Sequence, residues 1–321
     1  MPHPVSAAGA QKGDSLTAPD PATPKALARV VGLGASAGGL APLEVFLSNV
    51  PENSGLAYVV VQHLDPTHKA LLCELLARVT AMRVREVKHG TTIEADNVYV
   101  IPPGAELSIV GNTLKLSKPS ETRGLRLPID VLFSSLASER GQRAIAVLMS
   151  GMGTDGTLGM QAVRAVGGLT LVQAPETAQF DAMPTSAIAA GCVDIIAPPE
   201  SMTKRIAEFL AGEGVHSTVA ADLERPSPTP PLQRVFEYLR QRTRHDFSMY
   251  KPATVQRRIE RRMNIHGALN LEQYADHLEA NPQEVDLLFK ELLIGVTRFF
   301  RDTEVWEHLV QTVLPQLLEQ R

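Results

Sequence analysis

The sequence contains little cysteine, few aromatic residues and no long apolar run. Two of its 321 residues are cysteines, Cys73 and Cys192, and only 5% are aromatic. Two cysteines inside apolar stretches fit reduced thiols in a cytoplasmic protein better than a disulfide framework. Neither belongs to a metal-ligand spacing, so we expect no metal site. No stretch approaches the ~18 consecutive apolar residues of a membrane span, so we expect no membrane insertion.

Charge of one sign is not in excess, and the length indicates more than one domain. The formal net charge of -4 argues against a nucleic-acid partner. Residues 1–27 are rich in Ala, Pro, Gly and Ser without the apolar core of a signal peptide, which predicts a disordered leader. Ser, Thr and Pro accumulate again at 213–231, which predicts a linker. We therefore expect one domain over 28–212 and another from residue 232 onward.

The first domain alternates between short β-branched runs and helical patterns. This order predicts a doubly wound α/β domain with a mostly parallel sheet. The predicted strands are "ARVVGLG", "LAYVVVQH", "NVYVIPP", "AIAVLMSG" and "LTLVQA", and the predicted helices are "LAPLEVFLSNV", "HKALLCELLARV", "IDVLFSSLASER" and "TLGMQAVRAVGG". A Gly-Asn turn in "IPPGAELSIVGNTLKLSK" predicts an inserted β-hairpin.

The turn after the first strand, "GLGASAGG", allows two interpretations. Counted from Gly32, it fits a glycine pattern that binds a dinucleotide pyrophosphate. The acidic residue that such a site needs would then be Asp65, which lies about ten residues later than usual. Counted from Gly34, the same turn fits G-x-S-x-G, which presents Ser36 as a nucleophile.

Two later residues complete the serine interpretation. His63 follows the second strand, and Asp155 lies in the glycine-rich exit "SGMGTDGTLG" of another apolar strand. Because the carboxyl ends of parallel strands share one edge, we expect both side chains to meet Ser36 there as base and orienting carboxylate. Each has a simpler interpretation: Ser36 and Asp155 as helix N-caps, and His63 as a strand-end histidine.

Six motifs, in order across the first domain, resemble the protein-glutamate methylesterase of bacterial chemotaxis, the CheB catalytic domain. They are "GASAGG", "VVVQHLDPTHKALL", "IPPGAELSI", "LPIDVLFSSLA", "VLMSGMGTDGTLGM" and "FDAMPTSAIAAGCVD". The resemblance implies Ser36 as nucleophile, His63 as base and Asp155 as its partner. It further implies hydrolysis of glutamate γ-methyl esters, and deamidation of glutamine, on chemoreceptor helices without a cofactor.

The resemblance also places the oxyanion hole and leaves regulation open. Ala37, where the family usually has Thr, and Met152 and Gly153 are the implied oxyanion and active-site loop residues. The family's usual receiver domain would precede the esterase, and only the short leader stands there. We therefore do not expect control by aspartyl phosphorylation within this chain.

The second domain reads as helical throughout, with a basic first half and an acidic second half. From 232 to 297 it is similar to the all-α docking module of the CheR-type receptor methyltransferase. The resemblance implies that the helix "RRIERRMNIHG" binds acidic receptor helices through four arginines, which are Arg257, Arg258, Arg261 and Arg262.

The following "GVTRFFRD" looks like the methyltransferase motif T-x-F-F-R, matched by Thr297 and Arg301. No glycine-rich cofactor loop follows, so residues 298–321 are expected to be the start of a truncated methyltransferase domain with an incomplete S-adenosylmethionine site. Two alternatives to the esterase stay open: a dinucleotide-binding domain, and a receptor-docking adaptor without catalysis.

Overall fold

A computed structural model describes residues 28–63, 71–118, 127–212, 230–248, 250 and 252–293. The predicted leader, the linker apart from its last two residues, and the predicted methyltransferase start at 298–321 lie outside these ranges. So do Asp65, Thr297 and Arg301. Within the described ranges, no helix has the length and apolar content to span a bilayer.

The first domain is built on a seven-stranded parallel sheet, flanked by helices and joined by a small antiparallel sheet. Its strands are β1 (Arg29–Ala35), β2 (Leu56–Gln62), β3 (Arg83–Glu86), β4 (Thr91–Thr92), β5 (Asn97–Val100), β6 (Glu106–Val110), β7 (Thr113–Ser117), β8 (Ala144–Leu148), β9 (Leu169–Gln173) and β10 (Ile195–Ala197). Its helices are α1 (Leu40–Ser48), α2 (Leu71–Ala77), α3 (Pro128–Arg140), α4 (Thr157–Ala165), α5 (Ala182–Ala189) and α6 (Pro199–Gly212).

The order of the parallel strands is β10-β9-β8-β1-β2-β5-β3, which confirms the doubly wound α/β fold. After β1, the chain adds β2, β3 and β5 on one side of β1. It then crosses back and adds β8, β9 and β10 on the other side. The direction of winding therefore reverses beside β1. In sheets of this kind, ligands bind in the crevice outside the carboxyl ends of the strands at that point.

Apolar residues on both faces of the strands explain the layers. Val30 of β1 belongs to a core with α3, α4 and α5. Val31 and Leu33 belong to a second core with α1, α2 and α6. Strands that are buried on both faces need continuous rather than alternating apolar runs, and this is the pattern from which they were predicted.

All five predicted strands and four predicted helices are present, and so is the predicted hairpin. Strands β6 and β7 pair in antiparallel register around Gly111, which has a φ of 57°. The sequence did not indicate β3, β4, β10, α5 or α6. The strands β3 and β10 lie at the two edges of the sheet, and an edge strand can be short or polar without disturbing the core.

The second domain consists of four described helices around a core of its own. They are α7 (Pro230–Thr243), α8 (Pro252–His266), α9 (Leu271–Ala280) and α10 (Pro282–Leu293). Buried residues on all four helices, among them Leu239, Ile259, Tyr274 and Leu288, form this core. Asn270 caps α9 by accepting the Gln273 N–H at 2.9 Å.

Helix α8 packs on α6, and it joins the two domains. Ile265 is buried in the same apolar core as Phe209 of α6, and Arg205 of α6 donates to the Ile265 carbonyl at 2.9 Å. An α8 arginine, Arg261, also reaches the carbonyl of Gly168, just before β9. The helical domain therefore packs against the amino ends of the strands, opposite the edge at which a doubly wound sheet binds ligands.

Candidate active site

Ser36 lies in the turn between β1 and α1, at the carboxyl edge of the sheet. Its Oγ lies 3.1 Å from Nδ1 of His63, and its main-chain N–H donates to the Ser150 carbonyl at 2.9 Å. Ser36 is not a helix cap, because the N-cap of α1 is Gly39. The simpler interpretation of this serine is therefore wrong.

His63 follows β2 directly and connects Ser36 with Asp155. Its Nε2 lies 2.8 Å from Oδ2 of Asp155, while its main-chain N–H donates to the Ala35 carbonyl at 3.3 Å. The imidazole is about one-third exposed, whereas the Asp155 side chain is buried. A substrate can therefore approach the histidine while the carboxylate stays away from water.

The Asp155 carboxylate is fixed by the first turn of α3. The Ile129 N–H donates to Oδ2 at 3.1 Å, and the Asp130 N–H donates to Oδ1 at 2.9 Å. The first N–H groups of a helix have no partner within the helix, and the helix dipole favours an anion there. Asp155 is not the N-cap of α4, which is Gly156, so its carboxylate is free to serve the histidine.

These contacts define which ring nitrogen carries the proton. Asp155 as a carboxylate can only accept, so Nε2 of His63 must carry a hydrogen. Nδ1 of the neutral ring is then an acceptor and faces the Ser36 hydroxyl. A hydroxyl, an imidazole and a carboxylate connected in this way are the groups of a serine hydrolase.

The sequence did not point to Asp130, which lies beside this site. Its Oδ1 accepts the Gly159 N–H in the first turn of α4 at 2.6 Å. Burial raises the pKa of Asp130 to about 6; hydrogen bonds from α4 act against this rise, and the Asp155 charge adds to it. The first turn of α3 thus binds Asp155, which precedes α4, and the first turn of α4 binds Asp130 of α3.

The glycines before Ser36 serve packing, and this argues against the dinucleotide interpretation. A Cβ at Gly34 would come within 2.4 Å of the Ile129 side chain, and one at Gly32 within 3.0 Å of Phe133. The backbone at these positions is covered by α3. It therefore does not offer the close approach that a pyrophosphate needs.

The implied oxyanion residues lie in two loops that approach each other: Ala37 follows Ser36, while Met152 and Gly153 follow Gly151, where a Cβ would lie 2.8 Å from that of Ser36. Within the described residues, the N–H groups of Ala37, Met152 and Gly153 donate to no protein acceptor, whereas that of Gly151 is bonded to the Phe180 carbonyl at 2.9 Å. A tetrahedral oxyanion requires donors of this kind, so the oxyanion role of these three residues stays a prediction.

The structure contradicts the predicted receptor-docking role for three of the four arginines. Arg258, Arg261 and Arg262 are buried, and only Arg257 is exposed. A long cationic side chain is rarely buried unless it is paired, and each of the three has an acidic partner. In this arrangement, they cannot bind a receptor helix.

Asp194, which precedes β10, is the main acidic partner at the domain interface. Its carboxylate binds Arg261 of α8 at 2.5 and 3.1 Å. Arg164 lies 3.6 Å away on the esterase side, and Arg262 lies 3.8 Å away on the helical side. Burial alone would raise the pKa of Asp194, but the charges of Arg261 and Arg164 hold it below its usual range.

Glu291 of α10 extends this network from the helical domain. It binds Arg258 at 2.9 Å, Arg261 at 3.2 Å and, across the interface, Arg164 at 3.3 Å. Its side chain is fully buried. The arginines that suggest a docking face in the sequence therefore hold the two domains together.

A second acidic residue, Glu284, binds Arg262, His266 and the Tyr274 hydroxyl. Glu284, His266 and His277 bring possible metal-ligand atoms within 4.8 Å of one another. The Glu284 carboxylate already has a buried cation in Arg262, whose Nε donates at 2.8 Å. This cluster is therefore explained as an ion pair within the helical domain.

We expect Asp194→Ala to lower the free energy of unfolding by about 3–5 kcal/mol, because it removes one carboxylate from three buried arginines whose positive charge Glu291 and Glu284 then offset only in part. Chemical denaturation of the full chain would measure the loss. The matched control is Asp286→Ala, which breaks an exposed aspartate–arginine pair with Arg242 and should cost no more than ~1 kcal/mol. Equal losses in the two variants would contradict a stabilising role for the interface network.

The fold is α/β, and the candidate site brings together the three groups that a serine hydrolase uses. The sequence model of the CheB methylesterase family matches residues 31–206, and the chain belongs to this family. A second model, the all-alpha domain of CheR methyltransferase, matches residues 230–293.

Individual relatives agree with this assignment. A protein-glutamate methylesterase/protein-glutamine glutaminase of Desulfitobacterium hafniense is 32% identical over 63% of this chain and 53% of its own length. One of Geobacillus kaustophilus is 35% identical over 56% of this chain and 53% of its own. The chain thus spans about half the length of these relatives. An uncharacterised 104.1 kDa protein of Rhodobacter capsulatus is 38% identical over 78% of this chain and 28% of its own length.

A solved structure supports the fold of the first domain. The crystal structure of the Thermotoga maritima CheB methylesterase catalytic domain superposes with a TM-score of 0.54 at 29% identity. The match covers 56% of this chain and 98% of that one. Sequence and fold therefore place the first domain in the same family.

Proposed function

We propose that the protein hydrolyses glutamate γ-methyl esters on helical segments of chemoreceptors. The observation that carries this proposal is the connected chain from Ser36 Oγ through His63 to Asp155. The family membership supports the substrate class, since relatives of this family are named for protein-glutamate methylesterase activity.

In the first half of the reaction, Ser36 attacks the ester carbonyl carbon. Its proton passes to Nδ1 of His63 as the Oγ–C bond forms, and the resulting imidazolium is stabilised by the Asp155 carboxylate. The negative charge on the carbonyl oxygen is bound by the N–H of Ala37 together with those of Met152 and Gly153. The bond to the methoxy group then breaks, and methanol leaves with the proton from His63.

In the second half, water takes the place of the serine hydroxyl. His63 removes a proton from water, which attacks the acyl carbon, and Ser36 leaves as the alcohol with that proton. The product is a glutamate side chain. Glutamine would form the same acyl-enzyme with ammonia as the leaving group, which fits the glutaminase half of the relatives' names.

The proposed receptor partner has no assigned binding surface on the helical domain. Of the four arginines expected to bind it, Arg257 alone is exposed. The esterase site opens at the carboxyl edge of the sheet, and the helical domain lies at the amino edge. A receptor helix can therefore reach Ser36 without displacing the helical domain.

A serine-directed fluorophosphonate tests the proposed chemistry. We expect covalent labelling at Ser36 in the intact protein, with loss of methanol release from methylated receptor in proportion to labelling. Ser48 is the internal control, because its hydroxyl donates to the Val45 carbonyl at 2.9 Å and contacts no base among the described residues, so it should stay unlabelled.

Two results would overturn the proposal. Receptor binding without methanol release from active-site-intact protein would favour the adaptor alternative. Saturable micromolar binding of NAD, without labelling of Ser36, would favour the dinucleotide alternative.

A further inference from the structure

A second serine, Ser150, is fully buried directly behind the nucleophile turn. It follows β8 by two residues, and β8 pairs with β1 in parallel register. Its carbonyl accepts the Ser36 N–H at 2.9 Å. Its hydroxyl donates to the Ala37 carbonyl at 2.9 Å and accepts the Phe180 N–H at 3.0 Å. Ser150, itself in the exit of β8, thus contacts the segments that leave the two neighbouring strands, β1 and β9.

The position of Ser150 is itself fixed from β9. Its main-chain N–H donates to Oε1 of Gln173 at 2.9 Å. The Gln173 amide nitrogen donates in turn to the Thr177 carbonyl at 2.9 Å. Gln173 is also buried, so the polar groups in this series of hydrogen bonds depend on protein partners rather than on water.

These contacts bracket the Ala37 N–H, the proposed oxyanion donor. Ser150 holds the peptide unit before Ser36 through its carbonyl and the unit after Ala37 through its hydroxyl. The unit between them carries the Ala37 N–H, and its carbonyl accepts the Gly39 N–H at 3.0 Å. Gly38 has a φ of 69° and lets the turn pack closely on Ser150, since a Cβ at this position would lie 2.9 Å from the Ser150 hydroxyl.

We infer that Ser150 is a positioning residue, whose hydroxyl aims the Ala37 N–H at the developing oxyanion. This inference rests on the proposed esterase function. A donor contributes to catalysis only if it points at the place where charge develops, and a displacement of about 1 Å can cost about 10²-fold in rate. Ala37 has no side-chain hydroxyl that could donate in place of its N–H, so the backbone orientation matters more here.

We expect Ser150→Ala to lower kcat for a small methyl ester by about 10- to 100-fold with KM nearly unchanged, because the transition state and not the bound ester loses its donor. Ser135→Ala is the matched control. The Ser135 hydroxyl also bridges two segments, accepting the Ile109 N–H at 3.0 Å and donating to the Leu132 carbonyl at 2.8 Å, and neither segment is the turn that holds Ser36. The free energy of unfolding of Ser135→Ala should fall by about as much as that of Ser150→Ala, while its kcat should stay at the wild-type value.

Two further variants decide the matter if Ser150→Ala does not fold. Ser150→Thr keeps the hydroxyl and should stay near the wild-type kcat, whereas Ser150→Cys keeps the volume but bonds weakly and should be slow. Equal kcat values in the folded variants and the wild type would overturn the positioning role. A wild-type protein without any esterase activity would instead overturn the proposed function itself.

Discussion

Replacing Ser36 by alanine is expected to lower kcat for methyl-ester hydrolysis by about 10⁶-fold, as when the nucleophile of another serine triad is removed. The side-chain hydroxyl makes one described hydrogen bond, to His63, while the turn is held by main-chain contacts to Ser150. The free energy of unfolding should therefore change by no more than ~1 kcal/mol. Methanol release and denaturant titration on the same preparation measure both quantities.

Ser48→Ala is the control for this variant. It removes an exposed hydroxyl whose one described contact is with its own helix, so turnover and stability should both stay close to those of the wild type. If Ser36→Ala hydrolysed the ester at an undiminished rate, the serine mechanism would have to be abandoned.

Asp155→Asn is expected to lower kcat by about 10⁴-fold, as amidation of the aspartate does in another triad. Two main-chain N–H groups and Nε2 of His63 all point at this side chain, and an amide offers only one acceptor oxygen. If that oxygen faces Ile129 and His63, the amide nitrogen opposes the Asp130 N–H. If it is turned around, the amide donates to Nε2, and the proton moves to Nδ1, where it blocks transfer from Ser36.

Single-turnover acylation measures this loss directly, and Asp130→Asn is the matched control. The Asp130 side chain accepts from Gly159, which an amide oxygen also does, and no hydrogen bond described in the structure joins it to His63. Its loss in kcat should therefore be much smaller. A loss below tenfold in Asp155→Asn would point to another carboxylate as the partner of His63.

The sequence by itself determined the central strands of the first domain and singled out Ser36, His63 and Asp155 as its candidate site. Parallel strands that are buried on both faces need continuous β-branched runs, and those runs marked β1, β2, β5, β8 and β9. Since parallel strands share one carboxyl edge, Ser36 and His63 could be expected to meet before any coordinates were considered. The motifs around them also indicated the family.

The first turn of α3 and the orientation of the imidazole ring were decided only by the tertiary structure. Nothing in the sequence shows that the N–H groups of Ile129 and Asp130 bind Asp155, because every residue except proline carries a main-chain N–H. The same holds for Ser150, which is one serine among many until its four hydrogen-bond partners are known. The side-chain pattern therefore indicates the reacting groups, while the main chain that orients them depends on packing.

The tertiary structure also reversed the interpretation of the basic helix. Arginines at helical spacing suggest an exposed face, because a buried cation is costly without a partner. The partners of Arg261 are Asp194, which is 67 positions away in another domain, and Glu291, 30 positions away on another helix. Local sequence records the positive charges but not the distant carboxylates, and only the folded chain brings the two together.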